Sequence, residues 1–201
     1  MAKKIYKWNG NYVPTFKCIT QAGGKEMTEK IVAEAEVLYA KLKDEHPELS
    51  KTARMHWLQC CERGAFYLTI KKYYPEHAYD WIDVSMQMYG AKVAKSLNKM
   101  MRLPGMKGRF LPIMRTMANK VFGEAGGFKN HMGYFDKQET HFDILECPYC
   151  KYMVELGCPE LGPSFCKSDE YSYGNLADFT FERTQTLATG GEKCDFCMRR
   201  R

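Results

Sequence analysis

Apolar positions keep helical spacing through the first two thirds of the chain and switch to strand spacing near residue 127. Residues 1–22 read as an irregular arm, with Asn9-Gly10 and Pro14 breaking any periodicity. Ile31, Ala35, Leu38 and Leu42 then recur at intervals of three and four, which predicts a helix from about Lys25 that Pro47 bounds. Ser50 is placed to cap the next helix, whose apolar stripe is Met55, Leu58, Cys61, Ala65 and Leu68. A third begins near Pro75 and sets Trp81, Val84, Met88, Ala91, Ala94, Leu97 and Met101 on one face, until Leu103-Pro104-Gly105 ends it. A fourth spans about Phe110 to Phe122.

From Gly126-Gly127 onward the pattern is that of strands. Phe128–Phe135 and Thr140–Glu146 read as two strands around the polar turn Asp136-Lys137-Gln138. Cys147-Pro148 starts a helix that Gly157 stops, and Pro159 to Tyr173 is a polar excursion, helical or irregular. A hairpin closes the chain. Thr184, Thr186 and Ala188 alternate with Arg183, Gln185 and Leu187, Gly190-Gly191 makes the turn, and the return strand opens on Cys194. Helices followed by antiparallel strands predict an α+β fold, an N-terminal helical bundle packed on a C-terminal antiparallel sheet in the order β-β-α-β-β. The one boundary the sequence offers divides residues 1–125, mainly helical, from residues 126–201, Cys-rich; the alternative is a single domain with the helices packed on the sheet.

Composition narrows the partners. A hydrophobic content of 45% with 13% aromatics excludes a disordered chain. The net charge of +6 is modest, and its clusters lie at the extremes, Lys3, Lys4 and Lys7 against Arg199-Arg200-Arg201. No basic run is interleaved with stacking aromatics, so a nucleic-acid partner is not expected. No apolar run approaches the roughly 18 residues of a membrane span, and no signal-peptide core opens the chain. A cytoplasmic protein acting on a small molecule is the expectation. In that compartment the nine cysteines are thiols, metal ligands or nucleophiles rather than a disulfide framework.

Six of the nine fall within residues 147–197. Cys147-x-x-Cys150 and Cys194-x-x-Cys197 form two pairs, and four thiolates would make a structural zinc site. On a strand, however, residues three apart face opposite sides, so Cys194 and Cys197 would need a bulge to meet one ion. Buried thiols without a ligand and catalytic thiols are the other readings. Cys166 and Asp169 share a helical face, with Glu160 upstream, and a nearby Arg183 would either lower a thiol pKa or bind a substrate carboxylate. Asp169 equally suits a cap. His141 and Asp143 share a strand face, as a general base and its orienting acid would, while His46, His56 and His77 read as surface or packing residues.

Cys147, Gly157-Cys-Pro-Glu-Leu161, Cys166-x-x-Asp169, Phe181-Glu-Arg-Thr-x-Thr186 and Gly190-Gly-x-x-Cys-Asp-Phe196, taken together, resemble the L-2-amino-thiazoline-4-carboxylic acid hydrolase family over residues 141–197. The resemblance implies a hydrolase that opens a small cyclic amidine at a carbon–nitrogen bond and needs no cofactor. It implies Cys166 as nucleophile with Cys194 as competitor, Asp169 or Glu160 as proton carrier, and Arg183 on the substrate carboxylate. Thr184 and Thr186 would orient the ring, and Asp195 could instead pair with Arg183. A metal-assisted variant would use zinc, with Cys147 and Cys194 among its ligands. Cys150 and Cys197 depart from the family's pattern. The hairpin is more distantly similar to 4-vinyl reductase domains, which implies the alternative of a non-catalytic small-molecule or metal-binding sensor.

Overall fold

A computed structural model describes residues 10–201. Helix α1 (Val13–Leu42) begins within the segment expected to be an irregular arm; residues 1–9 lie outside the described residues. Pro14 stands in its first turn, and Phe16 and Ile19 are buried beside Ile31, Val32 and Ala35. Thr15 fixes the helix against the third one, its backbone N–H donating to Ser85 Oγ and its hydroxyl to the Trp81 carbonyl. Gly24, at φ +77°, interrupts the helix, which is why the sequence pattern begins only at Lys25.

Helices α2 (Lys51–Tyr73), α3 (Ala78–Met101) and α4 (Met106–Val121) follow. Ser50 caps α2 as expected, its Oγ accepting from the Ala53 amide at 3.1 Å. The buried faces differ from the apolar stripes. α2 runs through the middle of the protein and buries His56, Trp57, Cys60, Cys61 and Phe66 together, whereas Met55 is 42% exposed. α3 buries Ile82, Ser85, Met86 and Gly90 while Val84 stays outside. Gly90 decides that face, because it is where α3 meets a later helix: a Cβ there would lie 2.3 Å from Tyr171 Cβ.

The C-terminal part comprises strands β1 (Lys129–Phe135) and β2 (Glu139–Glu146), helices α5 (Pro148–Glu155) and α6 (Pro163–Tyr173), and strands β3 (Phe179–Glu182) and β4 (Cys194–Arg200). The sheet is antiparallel in the order β1-β2-β4-β3. The fold is therefore α+β. Thr140, Phe142 and Ile144 with Cys194, Phe196 and Met198 face the helices, while Glu139, His141 and Asp143 with Asp195, Cys197 and Arg199 form the outer face.

The closing hairpin differs from expectation. β3 ends at Glu182, and residues 183–188, read as a strand from their alternation, form a loop that enters a short 3-10 turn, Leu187–Thr189. Asp195 is the cause. Its carboxylate accepts the amides of Thr184 and Gln185 at 3.0 and 2.9 Å and the Thr184 hydroxyl at 2.6 Å, supplying the partners that a strand ladder would otherwise have to provide.

The largest apolar cluster draws on both sides of residue 125, joining Phe16, Ile31, Trp57, Phe66 and Ile82 to Met153, Leu156, Leu161 and Phe165. Each such side chain, fully buried, contributes about 1.5–3 kcal/mol. Among the described residues no helix is long and apolar enough to cross a membrane. Gly90→Ala is expected to destabilise the protein by about 1–3 kcal/mol in chemical denaturation, because α3 and α6 must separate to admit the methyl group. Gly108→Ala, whose Cβ would have only Arg200 Nη2 at 3.9 Å, serves as the control and should be neutral or stabilising.

Candidate functional site

The inner face of the sheet does not pack directly on every helix. Between it and α2, α4 and α6 lies a cavity of about 390 Å³, walled by Met55, Met114, Met117, Phe122, Phe128, Phe142 and Phe196. Five cysteines border this apolar space: Cys147, Cys150, Cys166, Cys194 and Cys197.

The first four come as two pairs. Cys147 occupies the N-cap position of α5 and Cys150 lies in its first turn, so one helical start brings their thiols into hydrogen-bond contact. Cys166 lies early in α6 and meets Cys194 of β4. The bond from Cys166 lowers the pKa of Cys194, against the opposing effect of burial, and the Leu187 amide adds a donor to Cys194 Sγ at 3.3 Å. The same contact, together with burial, raises Cys166. The pair thus gives up its first proton from Cys194 and holds the second firmly, with Arg183 favouring the thiolate. Cys150 is likewise lowered by its contact with Cys147, which is raised.

A buried arginine near Cys166 spends three of its five N–H donors on the protein itself. The Arg183 side chain is 2% exposed and donates to Asp169 Oδ2 at 3.1 Å, to the Cys166 carbonyl at 2.9 Å and to Glu170 Oε1 at 2.8 Å. Burial pushes the Asp169 carboxyl up to about 6, and Arg183 only partly offsets it. A second arginine is less engaged. The Arg63 guanidinium stacks 3.7 Å from the Phe165 ring and donates to Ser164 Oγ at 3.1 Å, while its Nε is buried without a partner. Among the described residues it forms no salt bridge. It lines the cavity as a cation held by an aromatic ring, with Tyr149 stacked on the far side of Phe165 at 4.4 Å.

The sequence profile of the L-2-amino-thiazoline-4-carboxylic acid hydrolase family matches residues 53–198. The chain belongs to this family. No curated protein matches it in sequence. Among solved structures, the Fe(II) unliganded H-NOX protein from K. algicida aligns over 95% of both chains at 9% identity and a TM-score of 0.38. A point mutant of that protein aligns over the same shares at 11% identity and a TM-score of 0.36. Likenesses this distant carry no functional argument.

The family match begins before Arg63, so α2 and its polar stripe His56, Gln59 and Arg63 lie inside the matched region. That stripe, at spacings of three and four on a helix otherwise rich in apolar residues, is the signal by which Arg63 could have been found. His56, expected to be a surface or packing residue, is buried at the cavity wall. Its Nε2–H faces the Val121 carbonyl at 2.9 Å and its Nδ1 accepts from the Tyr149 hydroxyl at 2.7 Å, and burial lowers its pKa. It is a neutral, fully engaged imidazole.

The residues expected to form the site divide into two groups. Cys147, Cys150, Cys166, Asp169, Arg183 and Cys194 line the one cavity. Glu160 does not reach it; its carboxylate accepts from Tyr67 at 2.7 Å and from Lys71 at 2.5 Å near the surface. Thr186 bonds Thr189 at 2.9 Å and its hydroxyl also favours the Cys166 thiolate, while Thr184 is taken by Asp195, so Asp195 caps a loop and does not pair with Arg183. Cys197 lies on the outer face, its thiol 3.6 Å from His141 Nε2. The β2–β4 register runs unbroken from Glu139↔Arg199 to Ile144↔Cys194. Without a bulge, Cys194 and Cys197 point to opposite sides, and Cys147, Cys150, Cys194 and Cys197 do not converge on one ion.

Asp169 generates a pH dependence of defined sign. Between about 4, where a free Asp ionises, and about 6, the folded chain holds a proton that the unfolded chain has lost. The carboxyl's contribution to stability is full below that window and declines as pH rises through it. The difference in unfolding free energy between wild type and Asp169→Asn should therefore shrink from pH 4 to pH 6.5, as measured by urea titration at each pH. A difference that grows with pH would show that Asp169 is held ionised.

Proposed function

We propose that the protein is a thiol-dependent hydrolase that opens a small cyclic amidine carrying a carboxylate, such as 2-amino-thiazoline-4-carboxylate, at a carbon–nitrogen bond. Family membership supports the reaction class, and the contact between Cys166 and Cys194 inside the cavity carries the mechanism. The reacting carbon lies between nitrogen and sulfur and becomes tetrahedral on attack. Of the nine cysteines, Cys194 has the features of a nucleophile: a lowered pKa, a backbone donor, a neighbouring S–H and a nearby guanidinium. Cys166 then serves as the thiol that shares its proton, a reversal of the order implied by the family resemblance.

Arg63 is the better anchor for the substrate carboxylate, because the charge of Arg183 is already met by Asp169 and Glu170 whereas Arg63 pairs with no carboxylate among the described residues. Arg183 positions Asp169 instead. With a pKa near 6, Asp169 is the group on this cavity suited to protonating the departing ring nitrogen. Water then adds to the carbon and releases Cys194 as thiolate, leaving a carbamoyl-cysteine.

A second reading rests on the size and walls of the cavity. Its volume of about 390 Å³ falls in the roughly 300–1,000 Å³ range that encloses drug-sized ligands, and its methionine and aromatic walls exceed what one small polar ring requires. That observation favours a non-catalytic small-molecule-binding protein.

Turnover of 2-amino-thiazoline-4-carboxylate by reduced protein separates the two. Under the hydrolase reading, Cys194→Ser lowers kcat by at least ~10²-fold, and Asp169→Asn by about 10²-fold or more. Arg63→Met raises KM by about 10–100-fold with kcat little changed, as loss of a charged hydrogen bond predicts. Full turnover by both Cys194→Ser and Cys166→Ser would remove the thiol mechanism. Saturable binding of an apolar ligand without turnover of any cyclic amidine would favour the binding protein.

A further inference from the structure

Cys197 borders the cavity, yet its thiol faces His141 on the other side of the sheet, and those surroundings give it a different chemistry. On the outer face of the sheet, His141 of β2 lies directly opposite Cys197 of β4, and Glu139 precedes His141 by two residues on the same face. One ligand atom from each of the three lies within 4.8 Å of the others. Glu139 Oε1 is 3.2 Å from His141 Nε2, and Cys197 Sγ is 3.6 Å from the same nitrogen.

Two ordinary explanations fail to cover this arrangement. A Cys–His–acid relay places the thiol on one ring nitrogen and the acid on the other. Here both approach Nε2, so no relay exists. An ion pair between protonated His141 and Glu139 uses the one Nε2 proton and gives no reason for a thiol to face the same atom. A cation in front of Nε2 accounts for all three. Tetrahedral zinc, with Zn–S near 2.3 Å and Zn–N and Zn–O near 2.0–2.1 Å, sets S and N about 3.6 Å apart and N and O about 3.3 Å apart. The observed 3.6 and 3.2 Å match those two edges, and the third, sulfur to oxygen, lies within 4.8 Å.

We propose that Glu139, His141 and Cys197 form a zinc site on the outer face of the sheet, separate from the thiol cavity. Mixed thiolate, imidazole and carboxylate donors suit zinc over the hard cations. Arg199 acts as the outer support. Its Nε holds Glu139 Oε2, leaving Oε1 for the ion, and its Nη1 donates to Glu182 Oε2 at 3.2 Å. Glu182 lies directly opposite Cys197 on β3, so it or a water molecule completes four-coordination. Two carboxylates, one thiolate, one guanidinium and a divalent ion then sum to zero charge. The ion would tie β2 to β4 and reach the end of β3, immediately before Arg183, behind the cavity wall.

Full-length protein, reduced and stripped with a chelator, tests the site by titration with cobalt and then zinc. Wild type should take up one equivalent of cobalt with a thiolate-to-cobalt charge-transfer band that zinc displaces. Cys197→Ser should lose the band, and His141→Ala and Glu139→Gln should weaken binding by more than the roughly 10–100-fold that loss of an outer-shell partner costs. Cys194→Ser should keep the band. Circular dichroism of each variant separates loss of a ligand from loss of the fold, and the two exposed-face substitutions at His141 and Glu139 give independent readings if Cys197→Ser misfolds. The proposal is overturned if wild type binds no stoichiometric metal, or if the band survives Cys197→Ser and disappears in Cys194→Ser, which would assign the metal to the cavity thiols.

Discussion

The buried bond system of Arg183 holds the candidate site in one piece. Its guanidinium joins the end of β3 to α6 through Asp169, Glu170 and the Cys166 carbonyl, and it does so 2% exposed. A buried ion pair seldom stabilises a fold by much, because desolvating both charges cancels most of their attraction. Its work here is placement. Anchoring the carbonyl of Cys166 from the sheet side fixes that residue relative to β4, which sets the distance between the Cys166 and Cys194 thiols. Desolvation at this partly covered position keeps the Asp169 carboxyl near 6, within reach of protonation at physiological pH.

Low polarity in the cavity then governs the sulfur chemistry. In an apolar space a lone thiolate is costly, so each thiol would stay protonated if it stood alone. Grouping them changes the balance. Within each pair the neighbouring thiol lowers the pKa of one member, Cys150 or Cys194, and raises that of the other. Arg183, bound by carboxylates, supplies positive charge to the Cys166–Cys194 pair, while Arg63 lines the same cavity stacked on Phe165. The arrangement commits Arg183 to the protein's own acids and leaves Arg63 without a carboxylate partner among the described residues.

Much of the fold was legible because its signals are local. Ser50, the turn at Asp136, the start of α5 at Pro148 and its stop at Gly157 each act within four or five residues, and each lies where the pattern places it. What escaped the sequence depends on distant partners. The alternation of residues 183–188 has strand periodicity, yet Asp195 takes the amides of Thr184 and Gln185 and turns the segment into a loop. The buried face of α3 follows the approach of Tyr171 to Gly90, not the most apolar stripe. Arg63 looks like a solvated helix residue until Phe165, from the far end of the chain, lies over it. The cluster of Cys147, Cys166, Asp169, Arg183 and Cys194 was visible through family resemblance, since no spacing rule brings five separated positions to one cavity.

Strand β4 shows how a single element can serve two chemistries. A CxxC pair on a helix start converges, as Cys147 and Cys150 do, because three residues nearly complete a turn. The same spacing on an unbulged strand diverges, so Cys194 enters the cavity while Cys197 joins His141 and Glu139 outside. Two motifs of identical spelling therefore cannot make one four-thiolate site in this fold. The backbone separates a thiol facing the cavity from one facing His141 and Glu139, and only two residues of β4, Asp195 and Phe196, stand between them. Asp195 fixes the loop after Arg183 and Phe196 walls the cavity, so a change on either face of β4 reaches the other through the short segment that defines both.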